Sequence, residues 1–290
     1  MAMLIVGCGY LGSRVALLWQ AHGATVYATT RSGQRANDFR RAGVTPVVCD
    51  VLDPASLAAL RDLPTLSAVC YAVGFDRSAG KTMRDVYVDG LANVSAALPA
   101  GVRFVYVSST GVYGQVDGEE VDEKAATEPA EESGKVVLAA EAMLRQLRPE
   151  AVILRSAGIY GPNRILRRQA IEAGQPLVGD PAKWLNLIHV EDGAAAVVAA
   201  ASRGVAVYNV ADDQPVRRRD FYTHMAELLN APAPQFTPPA PGQEAPHERA
   251  NRRISNRRLR QELGVALRYP SCREGLQQAV TGLNPLDPAL

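Results

Sequence analysis

Short apolar runs alternate with amphipathic stretches over the first half of the chain. The apolar runs predict strands at Met3–Val6, Thr25–Thr29, Thr45–Cys49, Ser67–Val73, Arg103–Ser108 and Ala151–Leu154. The amphipathic stretches predict helices at Ser13–His22, Gln34–Ala42, Pro54–Arg61, Met83–Leu98 and Val136–Leu147. Strands that alternate with crossover helices form a parallel sheet covered on both faces, so the pattern predicts a doubly wound α/β fold.

This alternation fades beyond about residue 160. A helix pattern at Val190–Ala201, a strand at Val205–Val210 and a helix at Asp220–Leu229 come before a proline-rich stretch. That stretch, Ala231–Pro246, has six prolines in sixteen residues and is predicted to be loop. We therefore predict a nucleotide-binding domain over residues 1–160 and a smaller, irregular substrate-binding lobe over residues 161–290.

Composition and charge exclude several classes of protein. The apolar fraction of 47% can fill a core, and 31 basic against 30 acidic residues give no electrostatic reason to expect nucleic acid or a membrane as partner. The N-terminal apolar run is too short for a signal peptide. Neither a metal site nor a disulfide framework is predicted from the four widely spaced cysteines, Cys8, Cys49, Cys70 and Cys272. We expect a cytoplasmic protein.

A glycine-rich turn lies between the first predicted strand and the first predicted helix. It reads Gly7-Cys-Gly9-Tyr-Leu-Gly12. In a dinucleotide-binding turn the first glycine permits the tight bend, the second admits a pyrophosphate and the third lets helix and strand pack closely. The motif and its context predict a dinucleotide cofactor and a fold of the Rossmann type.

The residues after the second strand favour NADP over NAD. NAD-binding proteins usually have Asp or Glu there to accept the ribose hydroxyls, whereas this chain has Arg31 and Ser32, with Arg35 nearby. A guanidinium can bind a 2′-phosphate; the alternative is that Arg31 is a solvated loop residue. Asp50 either faces the adenine or caps the next helix. The predicted cofactor contacts are Gly7, Gly9, Tyr10, Leu11, Gly12, Arg31, Ser32, Asp50, Val51 and Ala72.

Several later segments together resemble the extended short-chain dehydrogenase/reductase superfamily, the NAD(P)-dependent epimerase/dehydratase group, in an atypical bacterial branch. They are Val105–Gly114, Leu154–Pro162, Leu187–Asp192 and Tyr208–Val210. The resemblance implies a seven-stranded parallel sheet. It also implies a catalytic trio of a Ser or Thr hydroxyl, a Tyr that acts as general acid/base, and a Lys that lowers the pKa of that Tyr.

The catalytic trio is incomplete in this chain. The resemblance places the hydroxyl at Ser109, which either faces the substrate or is a strand-end serine satisfied by the backbone. It places Ser133 where the Tyr is expected and Val137 where the Lys is expected. Lys135 is predicted to be a solvated helix residue. Tyr113 and Tyr160 could border the cleft as substitutes, or be structural aromatic residues whose hydroxyls bond the backbone. His189 is interpreted as a buried, hydrogen-bonded residue, and Arg155 either holds an anionic substrate group or pairs with an internal carboxylate.

Two functions remain open. The first is an NADP-dependent oxidoreductase or epimerase that acts on a small substrate, with sugar-like and nucleotide-linked molecules among the options; its candidate catalytic residues are Ser109, Tyr113 and Ser133. The second is an inactive NADP(H)-binding sensor or regulator. The arginine-rich stretch Arg249–Arg260 is predicted to be a helix with a basic outer face. The alternative, which the family resemblance implies, is that one of these arginines borders the cleft and meets a substrate phosphate. The sequence does not determine the oligomeric state; the resemblance leaves a homodimer open, and neither nucleic acid nor a membrane is expected as a partner.

Overall fold

The computed structural model describes residues 1–239 and 248–282. The first seven strands are β1 (Ala2–Val6), β2 (Thr25–Thr30), β3 (Thr45–Val48), β4 (Leu66–Tyr71), β5 (Arg103–Ser109), β6 (Glu120–Val121) and β7 (Val152–Ser156). The remaining strands are β8 (Gly158–Tyr160), β9 (Leu177–Val178), β10 (Trp184–Leu185), β11 (Leu187–His189), β12 (Val207–Val210), β13 (Val216–Arg217), β14 (Phe236–Thr237) and β15 (Arg253–Ile254).

The helices lie between these strands in chain order. They are α1 (Tyr10–Ala21), α2 (Gly33–Arg41), α3 (Gly90–Ala97), α4 (Glu132–Leu147), α5 (Arg168–Glu172), α6 (Val190–Arg203), α7 (Arg218–Leu229), α8 (Arg257–Gln261) and α9 (Cys272–Thr281). No helix in the described part of the chain is long and apolar enough to span a lipid bilayer.

Seven strands form the central sheet, in the order β12-β7-β5-β4-β1-β2-β3. Each neighbouring pair is parallel. β1 lies inside the sheet, with β2 and β3 on one side of it and β4 on the other. The chain therefore builds the sheet outward from β1 in both directions, which leaves a crevice between the carboxyl ends of β1 and β4. In doubly wound folds ligands bind in this crevice. The predicted doubly wound α/β fold is confirmed.

Alternate side chains of each strand enter one of two cores. Leu4 and Val6 face the core that contains α3 and α4, while Ile5 between them faces the core that contains α1 and α6. All five residues of β7 are buried, as expected for a strand covered on both faces. Burial on both faces explains why the strands are continuously apolar in the sequence.

The later residues divide between the central sheet and a smaller lobe. β12 and α6 lie beyond residue 160 in the sequence but belong to the central sheet and its helical layer. The lobe has its own core, in which Tyr160, Phe221, Met225 and Leu276 are buried together. The chain thus returns to the sheet after it has begun the lobe.

Three predicted elements differ in the structure. The predicted helix Pro54–Arg61 is a 3₁₀ helix at Ser56–Leu60, and Met83–Leu98 contains a π-helical turn at Asp85–Asp89 before α3. Part of the proline-rich loop forms β14, which pairs with β9; positions 240–246 lie outside the described residues.

The prediction of a helix over Arg249–Arg260 is wrong. Its middle is β15, which pairs with β6, and only its end is helical. Ile254 is buried, and the guanidinium of Arg252 donates hydrogen bonds to the Thr110 and Gln115 carbonyl oxygens. These contacts come from residues more than 130 positions earlier, and they outweigh the local helical pattern.

Candidate cofactor-binding and active site

The glycine-rich turn packs against the end of β4. Gly7 has φ +88°, and a Cβ added there would lie 2.6 Å from the backbone of Ala72. A Cβ on Gly12 would lie 2.6 Å from the Gly7 carbonyl oxygen. Both positions require glycine because backbone approaches backbone, which is the role predicted for the first and third glycines of the motif.

Gly9 differs from the other two glycines of the turn. It is the N-cap residue of α1, and a Cβ added there would meet no atom within 4 Å. Free space over a helix N-terminus suits an anion, because the unpaired N–H groups and the helix dipole both favour negative charge. The turn therefore fits a pyrophosphate at Gly9.

A cavity of about 630 Å³ extends from this turn across the carboxyl ends of β1 to β4. Its volume lies within the range of about 300–1,000 Å³ that is typical of small-molecule sites. Seven of the ten predicted cofactor residues line it: Gly7, Gly9, Arg31, Ser32, Asp50, Val51 and Ala72. The other three, Tyr10, Leu11 and Gly12, form the beginning of α1 next to the turn.

The end of the cavity beyond β2 is cationic. Arg31 and Arg35 both line it, and β2 ends in two threonines, with no carboxylate. The hydroxyl of Ser32 caps α2 by accepting the Arg35 backbone N–H at 3.3 Å. The Arg35 guanidinium donates to the Cys8 carbonyl oxygen at 2.7 Å, which ties α2 to the glycine-rich turn.

Two carboxylates also line the cavity. Asp50 accepts the backbone N–H of Leu52 at 2.9 Å, so it stabilises the turn after β3 while it faces the cavity. Asp76 lies further along the wall; hydrogen bonds from Ser78 lower its pKa, and Arg31 lowers it further. The cavity therefore has a cationic end and acidic groups along its wall, and its residues fit a dinucleotide.

Ser109 and Ser133 lie on either side of one turn at the carboxyl end of β5. The Ser109 hydroxyl accepts the Gly111 N–H at 3.0 Å and caps the 3₁₀ turn that follows. Gly134, next to Ser133, packs on the same turn, since a Cβ there would lie 2.3 Å from the Gly111 carbonyl oxygen. The backbone beside Ser133 therefore packs on the turn that Ser109 caps, and neither serine lines the cavity.

The first turns of α4 hold no Tyr–Lys pair. Ser133 is exposed, and Val137 is buried among apolar side chains. The Lys135 side chain is 57% exposed, and its nearest carboxylate, on Glu132, is 3.8 Å away. Lys135 is therefore a solvated residue, as predicted.

Tyr113 does not lie at the cavity. Its side chain is buried, and its hydroxyl donates to the Asn209 side-chain oxygen at 2.8 Å and accepts from Arg155 at 3.0 Å. Burial raises the pKa of this hydroxyl. Tyr113 is a structural residue, which corrects its selection as a substitute catalytic group, and its partners are side chains rather than the backbone.

The sequence did not lead us to Glu141, which organises the interior beside β5. Its carboxylate receives the Ser108 hydroxyl at 2.6 Å and the Arg155 guanidinium at 2.7 Å, and all three side chains are buried. Arg155 therefore pairs with an internal carboxylate. The available signal was an acidic residue on the otherwise apolar face of α4.

The remaining candidates belong to the lobe. His189 is fully buried, with Nε2 2.9 Å from the Gln278 side-chain oxygen, and burial lowers its pKa to about 4. Tyr160 is buried in the lobe core, and its hydroxyl has no hydrogen-bond partner among the described residues. No cluster of His, Cys, Asp or Glu in residues 1–239 and 248–282 could hold a metal ion.

Fold, turn and cavity together define a dinucleotide-binding protein. The chain belongs to the NAD dependent epimerase/dehydratase family, whose model matches residues 3–211. It is 28% identical to a 3-diazoavenalumate denitrifying reductase from a Streptomyces species, over 95% of this chain and 99% of that protein. The family and the reductase place the chain among the Rossmann-type oxidoreductases and epimerases.

Solved structures agree with this assignment. A candidate NAD-dependent epimerase/dehydratase from Methylobacillus flagellatus is 33% identical, with a TM-score of 0.76 over 97% of this chain and 98% of that one. A UDP-glucose 4-epimerase from Thermus thermophilus, in complex with NAD, has a TM-score of 0.80 at 22% identity over 97% of this chain and 98% of that one. The second similarity supports the fold alone.

Proposed function

We propose that this chain is an NADP(H)-dependent oxidoreductase that reduces a small organic acceptor. The observation that carries the proposal is the cationic end of the cavity, where Arg31, Arg35 and Ser32 surround the position beyond β2. A 2′-phosphate there would receive charge-assisted hydrogen bonds. The ribose diol of NAD would find no carboxylate at the end of β2, so NADP(H) is the better fit.

The chain's own residues bind and orient the cofactor. Gly9 and the first turn of α1 would hold the pyrophosphate, and Asp50 and Val51, which line the same cavity, would contact the adenosine. When bound, the nicotinamide supplies hydride chemistry. Ser109, at the carboxyl end of β5, accepts the Gly111 N–H through its oxygen and would donate its hydroxyl hydrogen to a substrate atom.

Substrate activation differs from that of a Tyr–Lys enzyme. Ser133 cannot act as the acid near neutral pH, and Val137 offers no ammonium to lower a neighbouring pKa. An acceptor that is itself electron-poor depends less on proton delivery than a ketone does. The name of the Streptomyces relative, a denitrifying reductase of a diazo compound, makes diazo acceptors the first class to test.

The test follows the absorbance of the reduced nicotinamide during a substrate screen. The panel contains aryl diazo compounds, imines, ketones and sugars, each with NADPH and with NADH. We expect oxidation of NADPH with at least one electron-poor acceptor, more slowly with NADH, and a loss of rate in Ser109→Ala. Turnover that prefers NADH would contradict the proposal.

A second candidate is an NADP(H) sensor without hydride chemistry. Ser133 and Val137 favour it, because they occupy the positions of the usual acid and its lysine. The same screen separates the two functions: tight binding of NADPH with no oxidation in any arm would support the sensor. Either function suits the cytoplasm, our proposed location, where the four buried, unpaired cysteines would stay reduced.

A further inference from the structure

One wall of the dinucleotide cavity comes from the loop that follows β4, residues 72–86, which we call the β4 loop. Seven residues of this loop line the cavity, and only two of them, Asp76 and Lys81, are charged. The cationic end beyond β2 is built from Arg31 and Arg35, on a different loop. Lys81 therefore adds a third cation to the cavity, from the β4 side.

Local structure fixes the backbone around Lys81. Gly80, with φ +66°, ends the 3₁₀ turn before Lys81 and reverses the chain. Directly after Lys81, the side chains of Thr82 and Asp85 accept each other's backbone N–H groups, at 3.1 and 2.8 Å. The Lys81 side chain therefore leaves the cavity wall from a defined backbone position.

Both carboxylates of the β4 loop are engaged by other groups. Asp76 accepts the Ser78 N–H at 2.9 Å and the Ser78 hydroxyl at 2.6 Å. Hydrogen bonds from Thr82 lower the pKa of Asp85, and the charge of Lys81 lowers it further. Nowhere in the described ranges of the chain does the ammonium of Lys81 make a hydrogen bond or an ion pair. This exposed ammonium is therefore available to a ligand in the cavity.

The charge of a dinucleotide calls for such a cation. The phosphates of NADP(H) carry about four negative charges near neutral pH, about two on the pyrophosphate and about two on the 2′-phosphate. Arg31 and Arg35 together supply two positive charges, and Asp50 and Asp76 add negative charge to the same cavity. A lysine ammonium binds phosphate as a point charge with three N–H donors. Lys81 is the remaining cation among the residues that line the cavity.

We propose that Lys81 binds a phosphate of the dinucleotide from the β4 side of the cavity. The cofactor is then held between the β4 loop and the loop beyond β2. This inference rests on the proposed function only in requiring a dinucleotide in the cavity. It applies to NAD(H) as well as to NADP(H), so it can fail while the preference for NADP(H) holds, and the reverse.

The first measurement is calorimetric titration of the full-length protein and of Lys81→Met with NADPH and with NADH, at one ionic strength. We expect Lys81→Met to weaken NADPH binding about fivefold, the upper end of what an exposed ion pair contributes. A loss for NADPH alone assigns Lys81 to the 2′-phosphate. An equal loss for both dinucleotides assigns it to the pyrophosphate.

Two further variants control for charge. Arg77→Met removes one positive charge from the same loop at a residue that does not line the cavity, and it should change either Kd by less than about twofold. Lys81→Arg keeps the charge and should retain most of the affinity. Equal Kd values for Lys81→Met and Arg77→Met would overturn the proposal.

Lysine acetylation provides a second readout, on the parent protein. The chain has four lysines, Lys81, Lys124, Lys135 and Lys183, so mass spectrometry after brief treatment with an amine-acetylating reagent can follow each one. We expect a saturating dinucleotide to slow the acetylation of Lys81 and to leave that of Lys135, which is 57% exposed and does not line the cavity, unchanged. Acetylation of Lys81 at one rate with and without NADPH or NADH would also overturn the proposal.

Discussion

Replacing Arg31 by alanine should weaken the binding of NADP(H) and leave that of NAD(H) nearly unchanged. Arg31 is exposed at the cationic end of the cavity, where Arg35 and Ser32 also lie. A hydrogen bond to a charged group contributes about 1.5–3 kcal/mol, and the lower half of that range suits an exposed guanidinium. Since about 1.4 kcal/mol is a factor of ten in Kd, we expect NADPH to bind about ten- to fortyfold more weakly.

The measurement is isothermal titration calorimetry of both dinucleotides at one fixed ionic strength, because salt screens exposed charges. Arg41→Ala is the matched control: it removes an exposed arginine from α2 that pairs with Asp38 and does not line the cavity. We expect Arg41→Ala to change either Kd by less than about twofold. A parallel loss of NADPH and NADH affinity in Arg31→Ala would refute the assignment of Arg31 to the 2′-phosphate.

Three further predictions use other parts of the site. Gly9→Ala should keep the melting temperature of the parent protein but lose NADPH affinity, because its Cβ would enter only the space for the pyrophosphate. Gly12→Ala forces a Cβ to 2.6 Å from a carbonyl oxygen and should lower the free energy of unfolding in urea by about 1–3 kcal/mol. Equal free energies of unfolding for the two variants would contradict this prediction. Lys135→Met should alter neither NADPH binding nor any turnover by more than about twofold, since its side chain is solvated; a large loss of rate would restore a catalytic role. The pKa of His189 is 6.5 in the unfolded chain and about 4 in the folded protein, so the unfolded chain binds the proton first as the pH falls. Lowering the pH from 6.5 to 4 should therefore reduce the free energy of unfolding of the parent protein by up to about 3 kcal/mol relative to His189→Gln. Parallel plots of unfolding free energy against pH for the two proteins would exclude the effect.

The parts of the site that the sequence predicted are local in the chain. The glycine-rich turn, the end of β2 and the end of β3 each follow a buried strand, and parallel strands bring their carboxyl ends to one edge. A strand pattern and a short motif therefore locate Gly9, Arg31 and Asp50 at one cavity without knowledge of any distant contact.

The parts that the sequence did not predict depend on contacts between distant segments. Tyr113 was a candidate for the cleft, but its hydroxyl is held by Arg155 and Asn209, which are 42 and 96 positions away. Glu248 meets Arg218 across 30 positions and a proline-rich stretch. Partners at such separations leave no periodic signal, so the burial of a charged residue cannot be deduced from its neighbours in the chain.

The crevice beside the glycine-rich turn should prefer NADP(H) to NAD(H), and the proposed function depends on this preference. Calorimetric titration of the parent protein with NADPH and with NADH, in one buffer at one salt concentration, measures it without any substrate. We predict one site per chain and at least tenfold tighter binding of NADPH. Equal affinities, or tighter binding of NADH, would contradict the preference.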